Sequence, residues 1–445
     1  MPFTLEARKH NSRLEYGVPL TSTLAMRHVL VQPPASVPRL RLLAPPSKSV
    51  ALRAVLAASL AGQGEIVLER PWPEDLSFML AALVKLGVQF EETPSGLCVT
   101  SGLLAHEERA VAVDAGEGAA PARFLLALAA GLCRPVTVEG RGRLPFRPFA
   151  ELIRALRELG AEVQGGPGLP LTVKGPVQTH RVHVRTDESS QFLSGLLLAA
   201  PLFGGLDVVL APGAKLPGYV DLTRAVMGEY GVAILDPCRV EAPAGYLQRS
   251  FEVESDWSGA AFLLAAGAVL GCEVMVPRLR ATSRQPDRAI VTFLEAMGCV
   301  CEQTAEGFSI KGAASHGLDA DLSETPDLAP VLLPLAATLP MPSRFRGLKK
   351  LRFKESDRLA VLTQMIAAHG SMIEQDGDTV VVRGPEKLPS GLLVVAAHGD
   401  HRMAMAGALL GLARPVQIDD AGCVSKSFPL FFSQWPGAAC PNLGH

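Results

Sequence analysis

The chain lacks a charge excess, a membrane-length apolar run and any Cys-x-x-Cys pair, and each lack removes a class of function. Its 42 lysines and arginines nearly balance 44 aspartates and glutamates, leaving a net charge of −2. With a pI of about 6.6 there is no global attraction to nucleic acid or an anionic membrane, so any anion site must be local. Mean hydropathy is positive at +0.24, yet the longest charge-poor runs, 257–272 and 328–344, carry Gly, Ser or Pro. Neither reaches the ~18–20 unbroken apolar residues that a span needs, so both are expected as buried helices. Residues 1–27 hold Glu6, Arg8, Lys9, Arg13 and Glu15 and no apolar signal-peptide stretch. The eight cysteines form no Cys-x-x-Cys, and Cys299 and Cys301 stand too close for a usual zinc pair. Reduced, buried thiols in a cytoplasmic protein are expected. No metal-ligand set and no nucleotide loop is present, so neither metal nor cofactor is expected.

What is present is a repeat. The 445 residues are 48% apolar, enough for two or three cores. Polar residues open a small-residue apolar helix six times, with a Gly/Pro break and a β-rich stretch after each. Anchors at Arg53, Arg123, Gln191, Ala260, Ala329 and Arg402 are spaced by 70, 68, 69, 69 and 73 residues. A second ladder, Gly87, Gly160, Gly231, Gly298 and Gly370, is spaced by 73, 71, 67 and 72. Glycine just past a helix fits the left-handed cap position. Two ladders of one period argue for an internal repeat of α/β units, three in each of two domains. Residues 1–38 are expected as an irregular extension. Residues 47–252 are expected to form one domain, and 39–46 with 253–445 a discontinuous second one. The last unit lacks a second helix, and the residues from Trp435 on are expected to be loose.

The helix starts carry the chemistry. Lys48, Ser49 and Arg53 open the first, Ser189, Ser190 and Gln191 the third, Asp327 the fifth, and Asp400, His401 and Arg402 the sixth. Arg143 and Arg147 sit in a Pro-bounded turn, Lys354-Glu355-Ser356-Asp357-Arg358 is the densest charge cluster, and Lys426 comes late. Each has an ordinary reading alone: a solvated helix face, a loop arginine, or an N-cap. Taken together, most repeat helices begin with anion-binding or acid/base groups. If pseudo-symmetry points them at one cleft, Lys48, Arg53, Arg147, Lys354, Arg358, Arg402 and Lys426 face a strongly anionic ligand. Asp327 and Glu355 are then the obvious acid/base groups in that field. Like charges gathered from two domains predict an open cleft that closes on an anion.

The chain resembles the 5-enolpyruvylshikimate-3-phosphate (EPSP) synthase family. The resemblance rests on Pro46-Ser47-Lys48-Ser49 with Arg53, Arg147-Pro148, Ser189-Ser190-Gln191-Phe192-Leu193, Pro326-Asp327, Lys354 to Leu359, Asp400 to Met405, and Lys426-Ser427-Phe428-Pro429. It implies a two-domain, inside-out α/β barrel-like fold, each domain a threefold pseudo-repeat of βαβαββ units. It implies transfer of enolpyruvyl from phosphoenolpyruvate (PEP) to the 5-hydroxyl of shikimate 3-phosphate. Lys48, Ser49, Arg53, Ser189, Ser190, Asp327 and Lys354 would hold shikimate 3-phosphate. Lys48, Ala119, Arg147, Gln191, Arg358, Arg402 and Lys426 would surround PEP. Asp327 would be the base, Glu355 the proton donor to PEP, and Lys48 an aid to phosphate departure. A monomer acting on these small molecules, with no nucleic-acid or membrane partner, is implied.

Three departures stand out. Ala119 and Ala120 replace a family Gly-Thr, Leu216 replaces a serine before Pro217-Gly218-Tyr219, and Lys350 replaces a substrate-binding asparagine. Ala119 predicts tolerance of glyphosate, which in this family occupies the PEP site. The competing readings are an enolpyruvyl transferase acting on UDP-N-acetylglucosamine and a non-catalytic anion binder. The first expects Lys-Asn where Lys48-Ser49 stands and a loop cysteine near 114–123, and neither is present. Intact Asp327 and Glu355 argue against the second.

Overall fold

The computed structural model describes residues 26–211, 216–241 and 245–439, so the expected extension lies outside the described residues as far as residue 25. Helices α1 (Lys48–Ala61) and α2 (Glu74–Lys85) belong to the first unit, α3 (Ala119–Ala129) and α4 (Ala150–Glu158) to the second, and α5 (Gln191–Phe203) and α6 (Gly218–Glu229) to the third. Helices α7 (Trp257–Leu270) and α8 (Ile290–Ala296) follow in the fourth, α9 (Ala329–Ala336) and α10 (Arg358–His369) in the fifth, and α11 (His401–Gly411) in the sixth. Every anchor of the first ladder lies in the first two turns of an odd-numbered helix. The glycines of the second ladder follow the even-numbered ones with φ of 100°, 88°, 82°, 98° and 98°. A Cβ is disfavoured in that region, so glycine stops each helix at the same place.

The second unit shows the plan most plainly. Strands Val111–Asp114 and Val136–Glu139 flank α3 and pair in parallel, and Glu162–Gly165 with Leu171–Lys174 adds an antiparallel hairpin after α4. This is a βαβαββ unit, with a right-handed crossover expected for its parallel pair. The first and fourth units exchange their first strands. Arg39–Arg41, just before α1, pairs in parallel with Glu273–Pro277 of the fourth unit, whereas Ser250–Glu252, just before α7, pairs in parallel with Gly64–Val67 of the first. The two crossovers therefore run side by side: Ser47 N–H donates to Glu254 O at 2.8 Å and Asp256 N–H to Pro45 O at 2.8 Å. Buried Gln285 fastens them. Its Oε1 accepts from Ser47 Oγ and Trp257 N, both at 3.0 Å, and its Nε2 donates to Ser255 O at 2.9 Å.

The sixth unit corrects two expectations. His28–Val31 is a strand, antiparallel to Val416–Asp419, and Ala438–Ala439 pairs on its other side. So the lead is not an irregular extension at 28–31, and the residues from Trp435 to Ala439 are not loose. Trp435 is 3% exposed, and its indole donates to Ala408 O at 3.1 Å. The cause is an open edge: the sixth unit has no returning hairpin of its own, and Val416–Asp419 needs a backbone partner on that side.

Buried side chains form two clusters, one from Val50 to Val253 and one that joins Val29, Val31, Leu42 and Ala44 to residues 257–435. The odd-numbered helices are buried almost throughout, α7 from Trp257 to Ala268 without a break, while strands alternate buried and exposed faces. Helices therefore sit inside and sheets outside. Small residues permit the close packing: a Cβ on Gly195 of α5 would stand 3.2 Å from Arg123 O and 3.3 Å from Phe124 Cδ1 of α3.

Candidate active site

A cavity lies between the two clusters, where the starts of α1, α3 and α5 face Asp327 and the start of α11. On the first wall, Ser47 caps α1, accepting from Val50 N at 3.4 Å. Lys48 Nζ donates to Asp75 Oδ2 at 2.9 Å. Arg53 is 3% exposed and has no carboxylate partner among the described residues. Its guanidinium donates instead to Thr223 Oγ1 (2.9 Å), Ser49 O (2.7 Å), Ser194 Oγ (3.3 Å) and Tyr219 O (3.4 Å). Burial pushes its pKa down to about 10, the mark of a desolvated cation suited to an anionic ligand.

Arg123 is the organiser of that wall. Its Nη1 donates to Ser189 Oγ at 3.1 Å and Gln191 Oε1 at 2.7 Å, and its Nη2 to Pro148 O at 2.8 Å. It lies against the rings of Phe149 and Phe192, 5.4 and 4.8 Å from their centroids. Burial first, then the neighbouring Arg147, holds its pKa well below the usual arginine range. The expected capping of α5 by a serine hydroxyl takes another form: Ser190 makes no side-chain cap, and Ser189 Oγ accepts from Gln191 N at 3.2 Å.

The second wall is a lattice of opposite charges. Asp327 sits on the 3-10 turn Pro326–Leu328 and caps nothing. Its Oδ1 accepts from Lys354 Nζ and Arg358 Nη1, both at 2.8 Å, and Arg402 Nη1 donates to its carbonyl at 2.9 Å. Arg358 Nη2 also donates to Glu355 Oε2 at 2.6 Å and Asp400 Oδ1 at 3.2 Å, and its Nε to Asp400 Oδ2 at 2.8 Å. Asp400 caps α11 through Arg402 N at 3.0 Å and accepts from Ser356 Oγ at 2.9 Å. Helix α10 begins only at Arg358, so Lys354 and Glu355 reach the cavity from a loop rather than from a helix face. Burial would raise the Asp327 carboxyl, but Lys354, Arg402 and Arg358 together hold it well below the usual carboxylate range. Burial is likewise overridden at Glu355, by Arg358 and then Arg147. His401 is buried with no hydrogen-bond partner on Nδ1 among the described residues, and burial, then Lys48, keeps it neutral at pH 7.

The two walls touch. Arg147 Nη1 reaches Glu355 Oε1 at 3.3 Å and its Nε donates to Phe353 O at 3.1 Å. Lys426 Nζ donates to Glu117 Oε2 at 2.6 Å, and Ser425 Oγ to Glu74 Oε2 at 3.1 Å. This differs from the expected repulsion of like-charged walls, because carboxylates from both halves are interleaved with the cations.

Of the residues singled out in the sequence, Lys48, Ser49, Arg53, Ala119, Arg147, Ser189, Ser190, Gln191, Asp327, Lys354, Glu355, Arg358 and Arg402 line the cavity. Lys426 does not, being drawn aside by Glu117 and by Gly399 O at 2.5 Å. Sequence reasoning missed Arg123, Asp75, Asp400 as the partner of Arg358, and Glu117. Only Arg123 carried a signal, since it holds the ladder position of Arg53 and Arg402. No group of three His, Cys, Asp or Glu among the described residues is placed to hold a metal, and no described helix is long and apolar enough to cross a membrane.

Solved structures share this architecture. EPSP synthase from Acinetobacter baumannii, determined at 2.37 Å, matches with a TM-score of 0.74 and 21% identity over 93% of this chain and 99% of that one. A second structure of EPSP synthase from that organism matches at 0.73 and 20%, over 93% of this chain and 100% of the other. The fold is thus a two-domain α/β fold shared with those structures. A sequence model of EPSP synthase (3-phosphoshikimate 1-carboxyvinyltransferase) matches residues 39–435. The 3-phosphoshikimate 1-carboxyvinyltransferase of Methanocorpusculum labreanum is 36% identical over 398 residues, 87% of this chain and 93% of its own. That of Clostridium kluyveri is 31% identical over 422 residues, 92% of this chain and 97% of its own. The chain belongs to the EPSP synthase family and is a transferase of the shikimate pathway.

The lattice makes Asp400 indispensable. Asp400→Ala would strand the Arg358 guanidinium and remove the α11 cap together. Loss of one partner of a buried pair is expected to cost about 3–5 kcal/mol, read as a lower urea midpoint, whereas Asp400→Asn, which keeps a capping oxygen, should lose less. Equal midpoints for Asp400→Ala and the parent would contradict the pairing argument.

Proposed function

We propose that this chain transfers the enolpyruvyl group of PEP to the 5-hydroxyl of shikimate 3-phosphate and releases phosphate, with the following division of labour. One observation carries the reading: Asp327 and Glu355, two carboxylates in one cavity, share the guanidinium of Arg358. Ser49, Arg53, Ser189, Ser190 and Lys354 hold shikimate 3-phosphate, with Asp327 at its 5-hydroxyl. Lys48, Arg147, Gln191, Arg358 and Arg402 hold PEP against Ala119. Lys426 joins them only by leaving Glu117.

Substrate anions compete with Asp327 and Glu355 for the same cations. As phosphate and carboxylate groups take Lys354, Arg147 and Arg358, both carboxyl pKa values rise toward a range useful for proton transfer. Glu355 then gives its proton to the methylene carbon of PEP, and carbon 2 becomes cationic. Asp327 accepts the 5-hydroxyl proton as that oxygen bonds to carbon 2, forming a tetrahedral ketal. Glu355 takes a proton back from the new methyl group while the C–O bond to phosphate breaks, Lys48 stabilising the departing oxygen. The alkene is restored and no cofactor is consumed. Cations in fixed register and exclusion of water supply the rest. The same reading treats residues 47–252 as one domain and residues 39–46 with 253–445 as a discontinuous second one, the two meeting at the paired crossovers, in a cytoplasmic monomer without a nucleic-acid partner.

Asp327→Asn tests the base. In a phosphate-release assay with PEP and shikimate 3-phosphate, kcat should fall by at least about a hundredfold, the usual worth of a general base. Near-parental kcat would remove Asp327 from that role.

Ala119 bears on inhibitor choice. It is 3% exposed at the start of α3 and lines the cavity. An added methyl in a close-packed site costs about 1–3 kcal/mol, roughly tenfold to a hundredfold in affinity, and the longer ligand suffers more. The enzyme should therefore be weakly inhibited by glyphosate while using PEP, and Ala119→Gly should lower the ratio of glyphosate Ki to PEP KM by about tenfold. An unchanged ratio would refute the steric account.

A further inference from the structure

We propose that Asp287 is a positioning residue, a buried counter-charge that keeps the Arg402 guanidinium off the Asp327 carboxylate and so open to PEP. The inference rests on the reaction proposed above, in whose steps Asp287 has no part. Asp287 is fully buried and lies behind the cavity lining rather than in it. It sits on the 3-10 turn Pro286–Ala289, two residues after Gln285, which fastens the paired crossovers. The start of α6 packs on the same turn: a Cβ on Gly218 would stand 3.0 Å from Pro286 Cγ. The carboxylate is thus held in place by its surroundings. Its Oδ2 accepts from Ser258 Oγ of α7, while Oδ1 has no hydrogen-bond partner among the described residues. A buried carboxylate oxygen without a donor is costly, and such groups are retained where another interaction offsets them.

Arg402 is that interaction. Its Nη2 stands 3.9 Å from Asp287 Oδ2 and 3.8 Å from Asp327 Oδ2, beyond hydrogen-bond reach of both. Its Nη1 donates to the Asp327 carbonyl at 2.9 Å. The guanidinium is therefore drawn from two sides and closes on neither carboxylate. Lys354 and Arg358, by contrast, have closed on Asp327 Oδ1, each at 2.8 Å. If Asp287 loses its charge, the balance tips and Arg402 closes on Asp327 Oδ2. PEP must then break a buried ion pair to reach Arg402. The groups facing Asp287 are Arg402 of α11, Asp327, Asp256 and Ser258 at the start of α7, and Tyr219 of α6. Burial pushes the Asp287 carboxyl up to about 6, with Arg402 and Ser258 opposing and Asp327 and Asp256 adding to the rise. The counter-charge is present above that pH and is lost as pH falls through it.

The test compares full-length parent, Asp287→Asn and Ser258→Ala in the phosphate-release assay from pH 8 to pH 5.5. Asp287→Asn keeps the shape and an oxygen for Ser258 but removes the charge. At pH 7.5 it should raise KM for PEP about tenfold, with KM for shikimate 3-phosphate changed less than about threefold. The ratio of its KM for PEP to the parent's should fall toward one by pH 5.5, where the parent's own Asp287 is neutral; the titration of PEP cancels in that ratio. A variant that only loosened the fold would give a ratio independent of pH. Ser258→Ala removes a bond that favours the charged form, so its Asp287 discharges at a higher pH. Its ratio to the parent should be near one at pH 8 and at pH 5.5 and exceed one between them. An unchanged or lowered KM for PEP in Asp287→Asn, or a ratio independent of pH, overturns the proposal. So does a ratio of one throughout for Ser258→Ala, which decides the matter if Asp287→Asn does not fold. A parent chain that releases no phosphate from PEP and shikimate 3-phosphate overturns the reaction itself and this assignment with it.

Discussion

The guanidinium of Arg358 is the contact on which the site depends. It is 1% exposed, and three carboxylates, Asp327, Glu355 and Asp400, surround it. Burial alone would lower its pKa, yet Asp400, Glu355 and Asp327 raise it above the ordinary arginine value. Desolvating a cation costs several kcal/mol, and only partners this close offset it. The same bonds join the turn before α9, the loop before α10 and the cap of α11, so one side chain fixes the relative positions of two repeat units. Arg147, reaching Glu355 from the other half, extends the lattice across the cleft.

That lattice gives the two proposed catalytic carboxylates a second use. In the structure they are the counter-ions that keep the cations stable; under the proposed function, the phosphates and carboxylates of the substrates take over that task. Binding is thereby coupled to protonation. A carboxyl held down by Arg358 and Arg147 gains proton affinity when either cation turns to a ligand. The bound state then carries more protons than the free one, so binding strengthens as pH falls through the raised pKa.

Much of this was legible in the sequence, for a physical reason in each case. The helix ladder shows because packed helix starts demand small residues, and because the stop after each even-numbered helix demands positive φ, which Gly87 and Gly370 meet without strain. The polar openings show because a helix N-terminus favours few residue types. What stayed hidden depends on pairing across hundreds of residues. His28–Val31 reads as a short apolar stretch in an irregular lead until Val416–Asp419 presents its open edge. Asp75 and Glu117 are ordinary acids of a first turn and a loop until Lys48 and Lys426 meet them. Arg53 reads as a free ligand-binding cation, and only the structure reveals how many of its donors are already engaged. The open-cleft expectation counted the cations and left out their acidic neighbours, which the structure interleaves with them.

The coupling between PEP and Glu355 is tested most directly by proton uptake. PEP is titrated into the Asp327→Asn variant saturated with shikimate 3-phosphate, at pH 7, in buffers of different ionisation enthalpy. The account predicts net uptake of a substantial fraction of a proton on binding, absent when Glu355→Gln is added. Equal heats in every buffer, or uptake that persists with Glu355→Gln, would contradict it.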